Sequence, residues 1–323
     1  MLNETTAQVL DLLLAKTRVS GEDIAFKLGL SRTAVWKNIE VLRRMGYQIA
    51  SLPGQGYSIT AAPDIPLPQE VRRYLEPSHL PWQVEYMPQC TSTNTLLKQR
   101  AVQGAPEGLV LVTDHQTAGR GRRGREWQDA PGNALLFSAL LRPSLPPAAL
   151  LPLTLIMGVA VGDALMSLGV LCQLKWPNDI LVGEAKICGI LTEISGEIDH
   201  TDFAVVGVGI NMRNRPELAE YGATSVNEHV VPPVRAQLLA AVLGEIARRY
   251  DEFLAGGRRD ILNRWESMSA TLHRTVVVHT PSGDITGTAI GVNCEGALLV
   301  STADGQDVVV NTGEVSLRHR KHE

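Results

Sequence analysis

The most restrictive feature of this sequence is a pair of closely spaced helix starts within its first 50 residues. Ser20 with Asp23 forms a capping-box pattern before an apolar helical stretch, and Gly29 can end that helix in the left-handed conformation. Ser31 can cap the next helix immediately afterwards. Two helices joined by so short a turn indicate a helix-turn-helix unit, preceded here by an apolar helix over residues 6–14.

The second of these helices predicts a surface suited to DNA. Val35, Ile39 and Leu42 share one face that would pack inward, and the run 47–59 has short strand-like stretches around a Pro-Gly turn, typical of a hairpin wing. The predicted DNA contacts are Ser31, Arg32, Thr33, Lys37 and, in the wing, Gln55. A helical protein-interaction domain with an ordinary charged face is the alternative, because bare helix-turn-helix patterns are often false positives.

The rest of the chain divides into a linker and two further units. Three prolines within residues 61–68 favour a linker, and the formal net charge of -4 means that any nucleic-acid contact must come from a local patch. Strand patterns follow at 108–114, 134–141, 173–176, 187–194 and 203–210, with helix patterns at 93–102, 153–168 and 234–254. β-branched runs at 275–279, 298–301 and 307–310, separated by glycines, predict a small β-barrel.

Two compositional features bear on the compartment. The uncharged run 143–162 is interrupted by four prolines, which favours a buried helix from about Leu153 over a membrane span. The first residues lack the layout of a signal peptide, so we expect no export. No CxxC pair and no metal-ligand spacing of histidines occurs, and we expect free thiols in a reducing cytoplasm at Cys90, Cys172, Cys188 and Cys294.

An arginine-glycine loop is the first motif that carries chemistry. Residues 119–124 satisfy the GxGxxG pattern of dinucleotide-binding proteins, but Trp127, Asp129 and Pro131 follow without the helix that a Rossmann turn requires. The four arginines in residues 120–125 would repel one another unless anions compensate them. The loop therefore predicts an anion site, with a solvated basic loop or a nucleic-acid contact as the alternative.

A second motif joins two strand-like runs. Residues 175–179 read Lys-Trp-Pro-Asn-Asp, and Lys186 opens the next apolar run. Ligand sites in α/β proteins form from polar groups at the ends of strands. Burying the charge of Lys186 is unfavourable unless an anionic group contacts it. A surface lysine whose charged end reaches solvent is the alternative.

Together, the loop 119–124 with Trp127, the run 175–179, Lys186 with Gly189, and the Gly-Val-Gly-Ile-Asn run 207–211 resemble the biotin protein ligases in order and spacing. With the N-terminal segment ending in residues 53–57, the whole chain resembles the bifunctional biotin ligases and biotin operon repressors. The resemblance implies an α+β multidomain fold, with a winged helix-turn-helix domain at 1–62, an α/β mixed-sheet ligase domain at 67–270 and an SH3-like β-barrel at 271–323.

The resemblance also implies the activity. Biotin, ATP and Mg²⁺ would form biotinyl-5′-AMP, which passes biotin to a lysine of a biotin carboxyl carrier protein, and the adenylate-bound homodimer would repress biotin synthesis genes on operator DNA. The implied catalytic residues are Lys186, Arg122 and Asp179, with Lys175, Asn178 and Asn211 on the nucleotide side. The implied biotin and adenylate contacts are Ser92, Thr93, Asn94, Gln116, Gly119, Arg120, Gly121, Arg122, Trp127, Lys186, Gly189 and Asn211.

Some alternatives stay open. Without the resemblance, residues 92–94 would be explained as a helix cap, and the region 218–227, expected near the adenine, offers only Tyr221 as an aromatic ring. Two rival functions are a biotin-sensing or nucleotide-sensing transcription factor with an idle ligand domain, and a ligase or lipoate-type acyltransferase whose N-terminal domain has lost DNA binding.

Overall fold

The predicted winged helix-turn-helix is present at the N-terminus. The computed structural model describes residues 2–52, 54–214 and 222–317. The Ser20 hydroxyl accepts the Asp23 N–H at 2.9 Å, Gly29 has φ 64°, and the Ser31 hydroxyl accepts the Ala34 N–H at 3.1 Å, so all three helix signals act as predicted. The elements are α1 (Glu4–Leu14), α2 (Gly21–Leu28), α3 (Arg32–Arg44) and the antiparallel wing strands β1 (Gln48–Leu52) and β2 (Gly56–Ala61).

A mixed sheet forms the centre of the catalytic domain. In the described residues its seven strands follow the order β3-β4-β5-β9-β8-β7-β6, and only the β3–β4 pair is parallel. The strands are β3 (Gln83–Met87), β4 (Leu109–Thr113), β5 (Ala134–Leu141), β6 (Gln173–Lys175), β7 (Asp179–Val182), β8 (Ala185–Gly196) and β9 (Thr201–Asn211). The sequence patterns missed β3 and β7, because both are short and only partly buried.

Helices cover the sheet. They are α4 (Pro68–Arg72), α5 (Thr93–Val102), α6 (Leu153–Ser167), α7 (Arg235–Leu254) and α8 (Arg258–Ser267). One stretch, Pro147–Ser167, is long and apolar enough to cross a membrane, but 72% of its apolar window is buried inside the protein. There α6 packs between the sheet and helices α7 and α8, so it is the buried core helix that its prolines predicted.

The C-terminal domain is an antiparallel β-domain. Its strands β10 (Thr275–Thr280), β11 (Gly283–Val292), β12 (Leu298–Thr302), β13 (Asp307–Val310) and β14 (Glu314–Leu317) pair in the order β13-β12-β11-β10-β14. The three predicted runs are β10, β12 and β13. The domain docks on the catalytic domain, where the buried Trp176 donates its indole N–H to the Gly296 carbonyl at 3.0 Å.

The linker is bonded to the catalytic domain at Asp64. Asp64 accepts the Arg235 backbone N–H at 2.7 Å, and the Arg235 guanidinium, 3% exposed, donates to Asp114 Oδ1 at 2.7 Å. Beyond it, Tyr47 of the N-terminal domain donates its hydroxyl to the buried Glu70 of α4 at 2.9 Å. Burial and the Glu70 carboxylate raise the pKa of Tyr47, so its hydroxyl stays protonated as the donor. These bonds hold the N-terminal domain against the catalytic domain.

Candidate functional site

Most of the predicted site residues line one cleft. It lies on the face of the sheet covered by α5, beneath the loop 119–127, and has a volume of about 860 Å³ including its open mouth. The predicted residues in its lining are Ser92, Thr93, Asn94, Gln116, Arg120, Gly121, Arg122, Trp127, Asn178, Asp179, Lys186 and Gly189. Segments far apart in sequence therefore meet around one space.

A second cavity adjoins the first. Lys175 and Asn211 line this second cavity rather than the cleft, and Trp127, Asp179 and Lys186 line both. These three residues, together with Arg125, Glu126 and Glu314, form the wall between the two spaces. The arrangement suits two ligands, or the two halves of one ligand, that meet at Lys186.

The inner end of the cleft has a directed hydrogen-bonding floor. Gln116 Oε1 accepts both the Thr93 N–H at 2.8 Å and the Thr93 hydroxyl at 3.1 Å. Because a backbone N–H can only donate, the oxygen of the Gln116 amide must face Thr93. The Gln116 Nε2 is therefore the group of this side chain that can donate to a ligand carbonyl.

Asn94 has a structural role in that floor. Its Nδ2 donates to the Leu191 carbonyl at 3.2 Å and to Glu193 Oε2 at 2.9 Å, so both amide hydrogens are used inside the protein. The Ser138 hydroxyl lies 2.5 Å from Asn94 Oδ1 and 2.7 Å from Thr93 Oγ1. The sequence patterns did not single out Ser138 or Glu193, since each lies within a strand-like run.

Ser92 has the capping role that its position suggested, because its hydroxyl accepts the Thr95 N–H at 3.5 Å.

The glycines of β8 and β9 make room for the site. A Cβ at Gly207 would lie 2.1 Å from Asn94 Oδ1, and one at Gly209 would lie 2.6 Å from the Trp127 ring. A Cβ at Gly189 would lie 3.0 Å from both Trp127 and Lys186 Nζ. The side chains of the site thus pack directly onto the strand backbones, which explains the glycines in residues 207–211 in physical terms.

Two predicted contacts support the site from outside the cleft. A Cβ at Gly119 would lie 2.7 Å from the Trp127 carbonyl, so this glycine lets the loop close on itself. Asn211 donates from Nδ2 to the Thr224 carbonyl at 3.0 Å and to the Lys186 carbonyl at 3.5 Å. Asn211 therefore fixes the backbone that carries Lys186. Tyr221, the predicted aromatic neighbour of adenine, lies outside the described residues.

Lys186 is the cation at the centre of the site. Its Nζ lies 2.6 Å from Asp179 Oδ1 and 5.7 Å from the centroid of the Trp127 ring. Its side chain is 35% exposed, so the charge is partly desolvated and has one carboxylate partner. A ligand anion entering either cavity would meet this ammonium at short range.

The arginine loop is a closed hairpin. The Gly121 N–H donates to the Arg125 carbonyl at 2.7 Å, and the Trp127 N–H donates to the Gly119 carbonyl at 3.0 Å. Between them, Arg122–Gly124 form a single 3₁₀ turn in which Arg123 has φ 55°, and no longer helix follows. The structure thus agrees with the rejection of a dinucleotide-binding turn.

Three arginines of this loop contact the C-terminal domain, which the sequence did not predict. Arg122 Nη1 lies 3.3 Å from the Gly313 carbonyl and 3.4 Å from Asn178 Oδ1. The other two contacts are a hydrogen bond from Arg123 Nη1 to the His279 carbonyl at 3.2 Å and an ion pair between Arg125 and Glu314. The loop is therefore held over the cleft by a domain that begins more than 140 residues later.

Burial lowers the pKa of the Arg122 guanidinium, and the neighbouring Arg123 charge lowers it further. Asp179 and Glu314 oppose this change. An arginine stays protonated in proteins, so the lowered pKa means that its positive charge is held at an unfavourable place. A bound anion would relieve that cost.

The N-terminal domain presents a separate polar surface on α3. Thr33 and Lys37 are exposed, and Ser31 is exposed at the N-cap. Arg32 is exposed as well but forms an ion pair with Glu22 of α2. The predicted contacts therefore share one solvent-facing surface, with one of the two cations already paired inside the domain.

Two features near that surface were not predicted. Gln55 in the wing turn accepts a hydrogen bond from Arg18, which brings a further cation to the wing. Trp36 is 52% exposed on α3, and Phe26 is 89% exposed on α2. Single exposed apolar side chains are common on protein surfaces, so these two rings do not by themselves identify a partner.

Three parts of the chain match known families. Residues 86–211 match the biotin/lipoate A/B protein ligase family, residues 5–58 match a helix-turn-helix domain, and residues 271–318 match the biotin protein ligase C-terminal domain. The fold is also similar to the structure "Biotin protein ligase from Aquifex aeolicus in complex with biotin and ATP", with a TM-score of 0.63, 32% identity, and coverage of 73% of this chain and 98% of that chain. Fold and site together define a biotin protein ligase.

Curated relatives extend the likeness to the N-terminal domain. The "Bifunctional ligase/repressor BirA" of Bacillus subtilis (strain 168) is 35% identical over 294 residues, which cover 89% of this chain and 90% of that protein. The protein of the same name from Escherichia coli (strain K12) is 31% identical over 306 residues, covering 93% and 92%. The chain belongs to the family of bifunctional ligase/repressors.

Proposed function

We propose that this chain attaches biotin to a lysine of a biotin carboxyl carrier protein through biotinyl-5′-AMP, and that it represses biotin synthesis genes with the adenylate as corepressor. The observation that carries the enzymatic part is the place of Lys186 on the wall between two adjoining cavities. The cleft with the Gln116 donor suits the ureido group of biotin, and the cavity with Lys175 suits the nucleotide.

Adenylate formation follows from this geometry. A biotin carboxylate oxygen attacks the α-phosphorus of ATP, a P–O bond forms, and pyrophosphate leaves with the electrons of the broken bond. Two anions must approach each other, so a cation between them stabilises the transition state more than the separated reactants. We assign that role to Lys186, with Arg122 as a second charge from the loop, because both residues line the cleft.

Mg²⁺ belongs in the proposal as the ion that accompanies ATP. Among the described residues, no group of three or more His, Cys, Asp or Glu side chains is placed to hold a metal ion. The nucleotide-side cavity does include carboxylates, at Glu126, Asp179, Glu184 and Glu314, and carboxylate oxygens suit this hard cation. When bound with ATP, Mg²⁺ would neutralise charge on the pyrophosphate that leaves.

The second half-reaction needs a proton acceptor. The carrier lysine must lose a proton before its nitrogen attacks the biotinyl carbonyl carbon, and AMP then leaves as the anhydride bond breaks. Asp179 is paired with Lys186 at 2.6 Å in the free site. When Lys186 turns to the adenylate, Asp179 is released to accept that proton.

Asp179→Asn tests this division of roles. We expect it to slow transfer from preformed adenylate to the carrier by about 10²-fold or more, the usual range for a lost general base, and to slow adenylate formation much less. Pyrophosphate release and carrier biotinylation, measured separately in single-turnover experiments, distinguish the two steps. Equal losses in both steps would mean that Asp179 acts only as the partner of Lys186.

The repressor part rests on the exposed surface of α3. We infer that the adenylate-bound form is a cytoplasmic homodimer whose two recognition helices occupy a two-fold operator. Gel shifts with DNA from upstream of biotin synthesis genes, with and without biotin and ATP and at stated salt concentrations, test this part. A ligase that has lost DNA binding would show no shift under any of these conditions.

One assay decides the enzymatic part. The purified chain is incubated with biotin, ATP, Mg²⁺ and a biotin carrier domain, and the product lysine is identified by mass spectrometry. We expect one biotinylated lysine, and none when ATP is omitted. Adenylate formation without transfer, or no product at all, would favour a sensor with an idle ligand domain.

A further inference from the structure

A single carboxylate outside the cleft joins two parts of the site. Glu193 lies on β8 on the same face as Gly189 and Leu191, and this row pairs with Gly209, Gly207 and Val205 of β9. Gly189 and Leu191 line the cleft, and Glu193 follows them where the cleft ends. The strand therefore carries a charged group at the edge of the pocket floor.

Two hydrogen-bond donors and one further cation converge on that carboxylate. Asn94 and Lys98 lie one helical turn apart on α5, and they reach Glu193 Oε2 at 2.9 Å and Oε1 at 2.6 Å respectively. From the other side, Nη1 of Arg120 in the arginine loop lies 3.7 Å from the same Oε1. The Glu193 side chain is 21% exposed, so this is a partly desolvated meeting point of helix, strand and loop.

The Glu193 carboxylate and the Leu191 carbonyl together determine how Asn94 is oriented. An ionised carboxylate only accepts, so the amide nitrogen of Asn94 must face Glu193, and the amide oxygen must face Ser138 and Gly207. Burial alone would raise the pKa of Glu193, but the hydrogen bonds from Lys98 and Asn94 lower it below its usual range, which is consistent with an ionised acceptor.

Lys98 and Arg120 share one oxygen of Glu193, and this makes the cluster more than a fixed ion pair. Lys98 is anchored on a helix, whereas Arg120 belongs to a loop that carries its own unfavourable positive charge. Attraction between Glu193 and Arg120 favours the closed loop, and Lys98 weakens that attraction by neutralising the same oxygen. Removing each partner should therefore change loop closure in opposite directions.

We propose that Glu193 is a positioning residue of the ligase reaction, which orients Asn94 in the pocket floor and holds Arg120 of the loop over the bound biotin and adenylate. The proposal rests on the proposed biotin ligase function. It identifies Lys98 as the residue that weakens the attraction between Glu193 and Arg120.

The test compares Glu193→Gln with Lys98→Met in the full-length chain. For Glu193→Gln we expect the KM for biotin to rise about tenfold, as for the loss of a charge-assisted hydrogen bond. Escape of preformed adenylate should accelerate to a similar degree, while kcat at saturating biotin stays within about twofold. For Lys98→Met we expect the opposite change, a lower KM for biotin and slower escape of adenylate.

A purely structural ion pair predicts a different pattern. Both variants would then raise the KM for biotin alike and lower the melting temperature alike, and this result would overturn the proposal. An unchanged KM and an unchanged rate of adenylate escape in Glu193→Gln would also overturn it. A double-mutant cycle that combines Glu193→Gln with Arg120→Gln adds a measurement that does not depend on folding differences. We expect the effects of the two substitutions on adenylate escape to be non-additive. Additive effects would reject the proposed contact between Glu193 and Arg120. A wild-type chain that forms no product would instead refute the proposed ligase function.

Discussion

The arginine loop and the recognition helix are both basic, but they differ in how their cations are held. In the loop, Arg122, Arg123 and Arg125 are bonded to atoms of a distant domain. Arg123 and Arg125 are exposed there, whereas Arg122 is partly buried. On α3, Arg32 and Lys37 are exposed, and the Arg32 side chain is 74% exposed even in its ion pair. Charges fixed in a partly desolvated site act strongly over short distances, whereas exposed charges are weakened by salt. One surface is suited to holding a reactive anion in place, and the other to reversible contact with a polyanion.

Lys186→Met should show the largest difference between the ligase site and the α3 surface, because it changes only the ligase site. We expect adenylate formation to fall by about 10³-fold, because the variant removes the charge at the developing transition state. Pyrophosphate release from biotin and ATP measures this step. The exposed Lys16 provides a matched control: Lys16→Met removes the same charge elsewhere and should leave the rate unchanged, so equal losses in both variants would count against the role of Lys186.

Gly209→Ala tests the packing of the closed site without changing any charge. The new methyl would lie 2.6 Å from the Trp127 ring, so the ring or the strand must shift. We expect biotin binding to weaken by about 1–3 kcal/mol, the usual cost of overpacking, as measured by calorimetry. Gly158→Ala in α6, where nothing lies within 4 Å of the new methyl, is the control and should bind biotin normally. Unchanged affinity in Gly209→Ala would show that Trp127 is not held against β9.

Lys37→Ala is the corresponding change on the exposed surface. We expect operator affinity to fall at low salt, with the slope of log affinity against log salt reduced by about 1, as for the loss of one phosphate contact. Carrier biotinylation should stay at the wild-type rate. Gel shifts at several salt concentrations measure the slope, and an unchanged slope with lower affinity would indicate a base contact instead.

Glu22→Gln has the smallest expected effect and the opposite sign. The exposed Arg32 and Glu22 form an ion pair, so neutralising Glu22 frees the guanidinium for DNA. We expect operator affinity to rise about twofold to threefold at low salt and the gain to vanish at high salt, because exposed ion pairs are weak and screened. A loss of affinity would mean that Glu22 holds Arg32 in its binding position.

Local patterns predicted much of the fold. The α3 face of Val35, Ile39 and Leu42 is buried, because helical period and caps are visible within a few residues of sequence. The strands β10, β12 and β13 match their predicted runs to within one residue. The patterns missed β11 and β14, since β11 contains three glycines, two threonines and one aspartate, a composition that resembles a loop.

The site was predictable only where its residues form short motifs. The resemblance placed Lys186, Trp127 and Gln116 together, and the structure lines one cleft with them. The contact of Arg122 with Gly313 spans 191 residues, and no local period encodes such a distance. Glu193 lies inside the predicted strand 187–194, where it is the one charged residue. A charged residue in an apolar run indicates that a polar partner meets it in the folded chain.

The bonded linker has a consequence for how operator spacing is encoded. Asp64 is bonded to Arg235 and Tyr47 to Glu70, so two contacts fix the N-terminal domain and the linker to the catalytic domain. In any two-fold pair of these chains, the separation of the two α3 helices would follow from the angle at which the catalytic domains meet. If such a pair binds operator DNA as proposed, α3 would select the bases and the catalytic domains would set the gap between half-sites. A graft that kept α3 but replaced the linker would shift the preferred gap and leave the preferred bases unchanged.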